Sequence, residues 1–375
     1  MDIYSFPIIS LFFAGLVILV LIIYISVQHI SHTRDDSFER PHHKLSRHHK
    51  NPVLSPLPFC EWEAGGTFNP AAFQDDEGKV HLLYRAIGAD GLSRVGYAGS
   101  GDGYNFAGRS TYPVFEPTLG YGKPDPAKTT GPKKYDPSVY TSGGGWGGSE
   151  DPRTVRIGDR VYMSYIAFEG WNSVRIALTS ILLDDLKKKR WNWKRPQIIS
   201  PEGQVAKNWV IFPEKIGGKF AIIHSIIPNI GIEYVENLDN ISEKISSPRL
   251  HGPQPGRKKF WDSRVRGAGP PPLRTDKGWL LLYHAQDDRE PSKYKLGAMI
   301  LDINDPTKIL YRSPQPILTP DMHYENDGKP GIVYASGAVI IGDNLMVYYG
   351  GGDKHVCIAE TPLRALLDWM IEYGK

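Results

Sequence analysis

The chain has 375 residues, 41% hydrophobic and 23% charged, which is enough apolar mass for a sizeable core. A formal net charge of +3, with no long basic helix and no aromatic RNA-binding signature, argues against a nucleic-acid partner. Cys60 and Cys357 are far apart and form no C-x-x-C pattern, which argues against a disulfide framework or a structural zinc site.

The first predicted element is a membrane anchor. Ile8 to Val27 carries no charge, is rich in Leu, Ile, Val and Phe, and matches in length the roughly 20 residues that cross a bilayer. A cleaved signal peptide is the rival reading. The leader Met1–Phe6 lacks Lys and Arg, however, the apolar run is long for such a peptide, and no small-x-small cleavage site follows. Arg34, Arg40, Lys44, Arg47 and Lys50 all follow the run, so the positive-inside rule places the rest of this single-pass chain in the cytoplasm. Residues 31–50, with His32, His42, His43, His48 and His49, read as a solvated polar spacer in preference to a metal-binding tract. The expected layout is therefore an anchor over 1–30, a His-rich linker over 31–50 and one folded domain over 51–375.

Within that domain a Gly- or Asp-marked turn leads five times into a short apolar strand. The five are Lys79–Arg85, Arg160–Tyr165, Lys219–His224, Trp279–His284 and Asn344–Tyr349. Each is followed by a second strand-like run: Arg94–Ala98, Val174–Ser180, Ile230–Val235, Leu296–Leu301 and Val356–Ala359. Repetition of multi-strand units at a regular spacing is how radial β architecture appears in a sequence, and equivalent strand ends then converge on one central mouth. Thirty prolines and 39 glycines suit many short strands joined by turns. Gly120 to Ser149 is a long insertion, of the kind that is usually functional or disordered. Thr361 to Tyr373 has helical spacing at Leu363, Leu366, Leu367 and Met370.

The insertion delivers the chain into Glu150-Asp151-Pro152-Arg153. Pro152 is expected to hold Asp151 extended and so to fix its direction. Taken alone, this tetrapeptide would more often be an acidic turn before a strand. Arg85, His224 and His284 occupy related strand ends in other units, and Asp353 follows Tyr348-Tyr349-Gly350-Gly351-Gly352 in the last. Several polar residues at equivalent strand ends weigh more than any one of them.

The ordered series Asn69-Pro70, Leu83-Tyr84-Arg85-Ala86, Glu150-Asp151-Pro152-Arg153, Phe212-Pro213-Glu214-Lys215, Gly269-Pro270-Pro271-Pro272 and Tyr348-Tyr349-Gly350 resembles glycoside hydrolase family 130, in its branch of β-1,2-mannoside phosphorylases. The resemblance spans roughly Asn51 to Leu367. It implies an all-β, five-bladed β-propeller, here preceded by the single transmembrane helix. It also implies Asp151 as the general acid, protonating the glycosidic oxygen through the 3-hydroxyl of the mannosyl unit. Inorganic phosphate then attacks the anomeric carbon from the opposite face, giving inversion and α-mannose 1-phosphate.

Phosphate is already an anionic nucleophile, so such a site needs cations and no strong base. The resemblance places phosphate on Arg153, Arg175, Lys207, His224 and, less firmly, Arg85. Asn69, Arg94, His284 and Asp353 are the candidates for holding the mannoside. No metal or organic cofactor is implied; the expected partners are a β-mannoside oligosaccharide, phosphate and the membrane. Ser225 departs from the family pattern, which has arginine after the histidine, and the long insertion before Asp151 bears on acceptor choice. Three other readings stay open. One is a β-mannosyltransferase using GDP-mannose on the same fold. Another is a β-mannosidase with a second acid at Glu169, Glu233, Asp262 or Glu325. The third is a non-catalytic glycan-binding protein.

Overall fold

A computed structural model describes residues 41–125, 127, 133–246 and 253–374. The expected anchor, Ile8 to Val27, lies outside them. Among the described residues no helix is long and apolar enough to cross a membrane.

The described chain is mostly β, with two short α-helices, Leu183–Lys187 and Leu363–Tyr373. Five antiparallel units follow one another. The first holds Gly66–Gln74, Val80–Ile87 and Leu92–Ser100, and the second Gly147–Ile157, Arg160–Phe168 and Val174–Leu182. The third holds Val210–Ile211, Phe220–Ser225 and Gly231–Val235, and the fourth Arg264–Ala268, Gly278–Asp287 and Glu290–Leu301. The fifth holds Val333–Ile341, Asn344–Gly351 and His355–Pro362. Leu92 and Ser93 pair in parallel with Gly147 and Gly148, which joins the first two units into one seven-stranded sheet. Among the described residues no sheet closes on itself.

Each central strand buries both faces, which is why it reads as a continuous apolar run and not as an alternation. In the fourth unit Leu280 and Leu282 face the fifth unit, while Leu281, Tyr283 and Ala285 face the third. In the first unit Leu83 packs toward the second unit, and Leu82, Tyr84 and Ala86 pack toward the fifth. The fifth unit answers with Met346 and Tyr348 on one face and Leu345, Val347 and Tyr349 on the other. Period-two geometry thus sorts the apolar side chains into five cores: first with second, second with third, third with fourth, fourth with fifth, and fifth with first. Each fully buried Leu or Tyr in them contributes about 1.5–3 kcal/mol.

The segment before Asn51, expected as a solvated spacer, is docked from His42 onward. Ser46–Arg47 forms the outermost strand of the fifth unit, with Ser46 opposite Glu360 and Arg47 opposite Ala359. Leu45 is buried in the core between the fourth and fifth units. His42 Nε2 lies 2.7 Å from the Pro316 carbonyl, and His43 Nε2 lies 2.8 Å from Thr361 Oγ1. Two histidines that look like linker in the sequence are surface clips.

Arg47 also completes a clasp that recurs in three units. Arg47 Nε donates to Glu325 Oε1 at 2.7 Å, and Tyr349 donates to the same oxygen at 2.8 Å. In the fourth unit Tyr283 and Arg312 converge on Asp262 (2.7 and 2.8 Å), and in the first Tyr84 and Arg109 converge on Glu63 (3.0 and 2.7 Å). Each tyrosine ends a central apolar run, so its ring stays in the core while its hydroxyl reaches a buried carboxylate. The helix Leu363–Tyr373 buries Leu366, Leu367, Trp369 and Met370 against the core between the fourth and fifth units.

Candidate active site

The leading strands of four units break register at a bulge, between Phe68 and Ala71, Glu150 and Arg153, Val265 and Gly267, and Ala335 and Gly337. A bulge frees residues from the ladder and re-aims their side chains. Here it releases Asn69, Asp151 and Arg266, all of which line one cavity of about 190 Å³. Four cavity residues have left-handed backbones: Asn69 (φ 47°), Asp151 (φ 48°), Asn208 (φ 63°) and Asp353 (φ 50°). Asn and Asp tolerate that region better than other side chains with a Cβ. Asp151 is therefore not extended, as the following proline led us to expect; the bulge overrides the local preference. Gly350 leaves the room this needs, since a Cβ there would lie 2.3 Å from Asn69 Oδ1.

Asp151 sits in a ring of donors. Asn69 Nδ2 donates to its Oδ1 at 2.8 Å, and Arg85 Nη1 to the same oxygen at 3.2 Å. The other amino group of Arg85 donates to Glu150 Oε1 and to the Ser142 carbonyl, both at 2.8 Å, and its Nε to Ser93 Oγ at 3.0 Å. Arg153 passes behind: Nη1 donates to the Asp151 carbonyl (2.9 Å), Nε to the Gly269 carbonyl (2.7 Å) and Nη2 to Asn208 and Tyr334 (both 3.1 Å). Tyr334 lies flat on His284, ring centroids 4.1 Å apart and 6° from parallel, and donates its hydroxyl to Asn208. His284 Nε2 accepts the Ala335 amide at 2.9 Å, which leaves the ring proton on Nδ1.

The electrostatics follow from burial and these partners. Burial pushes the Asp151 carboxyl up, but Arg85, Lys207, Arg153 and the Asn69 hydrogen bond outweigh it and hold the group below the usual aspartate value. Glu150 and Asp353 go the other way. Burial leaves both above their usual values despite the pull of Arg85 and Lys207 on Glu150 and of Lys329 and Arg85 on Asp353. Burial lowers Lys207, against the opposing influence of Glu150 and Asp151. His284 is pushed down to about 3, by burial first and then by Arg153, so its imidazole is neutral throughout the physiological range.

Six of the ten residues singled out in the sequence line the cavity: Asp151, Asn69, Arg85, Lys207, His224 and Asp353. Arg153 and His284 stand behind its wall, holding Asp151, Asn208 and Tyr334. Arg94 does not line it; its guanidinium pairs with Asp90 at 2.7 Å and approaches Glu116 at 3.9 Å. Arg175 belongs to a neighbouring surface recess with Arg195 and Lys244, 3.7 Å from Glu202. Among the four acids considered as a second carboxylate, Asp262 and Glu325 are enclosed in the clasps, and neither Glu169 nor Glu233 lines the cavity. Sequence reasoning did not single out Tyr334, Arg266, Trp171 or Lys329, all of which line it. Arg266 was legible only as a slip in strand alternation; the other three carry no distinguishing signal.

Comparison with known proteins bears on this arrangement. A profile of the family described as beta-1,4-mannooligosaccharide phosphorylase matches residues 134–372. The 1,2-beta-oligomannan phosphorylase of Thermoanaerobacter sp. (strain X514) is 35% identical over 326 residues, covering 84% of this chain and 96% of that protein. The beta-1,2-mannobiose phosphorylase of the same strain is 33% identical over 332 residues, with the same two coverages of 84% and 96%. Among solved structures, the beta-1,2-mannobiose phosphorylase of Listeria innocua in complex with beta-1,2-mannobiose superposes with a TM-score of 0.63. It is 25% identical and covers 87% of this chain and 99% of that one.

Proposed function

This chain belongs to glycoside hydrolase family 130, and on that footing we propose that it is an inverting, reversible phosphorylase of β-1,2-linked mannosides. The observation that carries the reading is the cavity's charge pattern. Asp151 is enclosed by donors and cations, and Arg85, Lys207 and His224 share its cavity, a basic set suited to an anionic nucleophile; the other carboxylate there, Asp353, is held above the usual aspartate value by burial and so makes a poor base for activating water. In the proposed step Asp151 delivers its proton to the departing glycosidic oxygen. A phosphate oxygen forms its bond to the anomeric carbon on the opposite face while the glycosidic bond breaks and its electron pair goes to the leaving oxygen. Mannose 1-phosphate in the α configuration and a mannoside one unit shorter result.

Lys207, His224 and Arg85 are assigned to phosphate, and Asn69 and Asp353 to mannosyl hydroxyls. Arg153 and His284 support the wall. Arg94 and Arg175 are left without a direct role, since neither lines the cavity. The β-1,2 linkage is preferred to β-1,4 because two relatives with β-1,2 names are 35% and 33% identical to the chain, against 26% for a relative named for a 4-O-β-mannosyl linkage. The cyclic order of the five cores supports a five-bladed β-propeller. From the sequence alone we also assign Ile8–Val27 as a single-pass anchor with the folded domain in the cytoplasm; protease protection of intact vesicles tests the sidedness.

The deciding experiment incubates the protein with β-1,2-mannobiose, with and without inorganic phosphate. Phosphate-dependent release of mannose 1-phosphate is expected, with a loss of at least a thousandfold in Asp151→Asn. Free mannose released without phosphate would sink the reading.

A further inference from the structure

The fold treats the neighbouring acids Glu150 and Asp151 differently. Asp151 lines the cavity, whereas Glu150 does not and is fully enclosed. Both oxygens of Glu150 are nonetheless committed. Oε1 accepts Arg85 Nη2 at 2.8 Å; Oε2 accepts Ser142 Oγ at 2.8 Å and lies 4.0 Å from Lys207 Nζ. Lys207 sits between this carboxylate and two aromatic rings, 4.8 Å from the Trp171 centroid and 5.7 Å from that of Phe168. An ammonium on a flexible stem in such a half-dry site can fail in two ways, by swinging away or by shedding its proton.

On the phosphorylase reading above, we propose that Glu150 is the positioning residue for inorganic phosphate. From behind the cavity wall it holds the Lys207 ammonium and the Arg85 guanidinium together and keeps Lys207 charged, without touching substrate.

The charge count supports the assignment. The charged groups facing Lys207 are Glu150, Asp151, Arg85, Arg266 and, more weakly, Asp353. Burial and the two arginines favour loss of its proton; the acids oppose it. Asp151 must carry a proton when it acts as acid, and its negative charge is then gone. Glu150 takes no part in the proton transfer, so its pairs with Arg85 and Lys207 persist through the cycle. With Asp151 protonated and Glu150 ionised, Glu150, Arg85 and Lys207 together carry one net positive charge, which an incoming phosphate answers. Glu150, buried behind the wall, holds both cations from the side away from the cavity, so they stand between its charge and the incoming phosphate.

The test measures Michaelis constants for phosphate and for β-1,2-mannobiose from pH 6 to pH 9 in the full chain, in Glu150→Gln and in Glu150→Gln with Lys207→Arg. In Glu150→Gln the phosphate constant should rise at least tenfold at pH 8 and less at pH 6, with the mannobiose constant within twofold of the parent. Adding Lys207→Arg should flatten the pH dependence, because a guanidinium does not titrate in this range. A rise equal at every pH, or one that the mannobiose constant follows, makes Glu150 a packing residue and overturns the proposal. Should Glu150→Gln fail to fold, Glu150→Asp carries the test: the shorter carboxylate draws back from Lys207 and Arg85, so the phosphate constant must still rise, more at pH 8 than at pH 6. A phosphate constant unchanged from the parent overturns the proposal. A parent enzyme that needs no phosphate is a separate result, and it removes the phosphorylase reading itself.

Discussion

Asn69 offers the most direct probe of the acid. Its amide donates to Asp151 Oδ1 at 2.8 Å, between two largely buried side chains. A hydrogen bond to a charged group contributes about 1.5–3 kcal/mol, and at 1.36 kcal/mol per unit that corresponds to roughly one to two pKa units. The sign is fixed by which form the bond favours. Asn69 donates to the carboxylate, so it lowers the Asp151 pKa, and Asn69→Ala raises it. An acid works while protonated, so the alkaline limb of kcat should move up by roughly one to two pH units. Alanine also tolerates the left-handed backbone at position 69 (φ 47°) less well than asparagine, a further stability cost of about 1 kcal/mol. The assay is mannose 1-phosphate release from pH 5 to pH 10 with both substrates saturating, alongside a thermal melt to confirm folding. An alkaline limb that stays in place or moves to lower pH would refute the argument, because the titrating group would not be one that Asn69 touches.

Two other perturbations reach different parts of the molecule. Arg47→Met strands the fully enclosed Glu325 with only Tyr349 and a backbone amide as donors; losing one partner of a buried pair costs about 3–5 kcal/mol. The melting temperature should fall by roughly 4–7 °C and recover in part when Glu325→Gln is added, whereas a change under about 1 kcal/mol would mean that the clasp does not hold the outermost strand. Phosphate binding should take up a proton, since an anion beside Arg85 and Lys207 cancels the charges that hold Asp151 ionised. Calorimetry in two buffers of different ionisation enthalpy reads this directly. Equal uptake in Asp151→Asn would assign the proton to another group.

The sequence exposed this fold where strands bury two faces and hid it where they bury one. Runs such as Trp279–His284 are legible because both faces meet apolar neighbours. Ser46–Arg47 and Gln197–Ile198 are outer strands of only two residues, with Ile198 the one apolar side chain among the four, and nothing in so short a run separates them from loop. The docking of Leu45 and Arg47 depends on partners some 270 residues away, Ile317 and Glu325, which no local pattern reveals. At the site, Asn69 and Asp151 were found through their proline-bearing motifs, but their direction was not, because it comes from a bulge set by pairing with the next strand. Arg94 illustrates the limit of strand-end reasoning. It lies opposite Ala86, one position beyond the partner of Arg85, and its guanidinium finds Asp90. Tyr334 sits in Val333-Tyr334-Ala335-Ser336-Gly337, an unremarkable strand whose tyrosine matters only because His284 lies beneath it.

The fifth core has a consequence for biosynthesis. Leu82, Tyr84 and Ala86 meet Met346, Tyr348 and Ile358, so the first unit cannot cover that face until nearly the whole chain has been made. At 5–20 residues per second, translating the intervening stretch of about 270 residues takes roughly 15 to 55 seconds. Throughout that interval a tyrosine and several aliphatic side chains of the oldest unit lack their native partners. Premature termination after the fourth unit would leave that face uncovered and the product prone to aggregate.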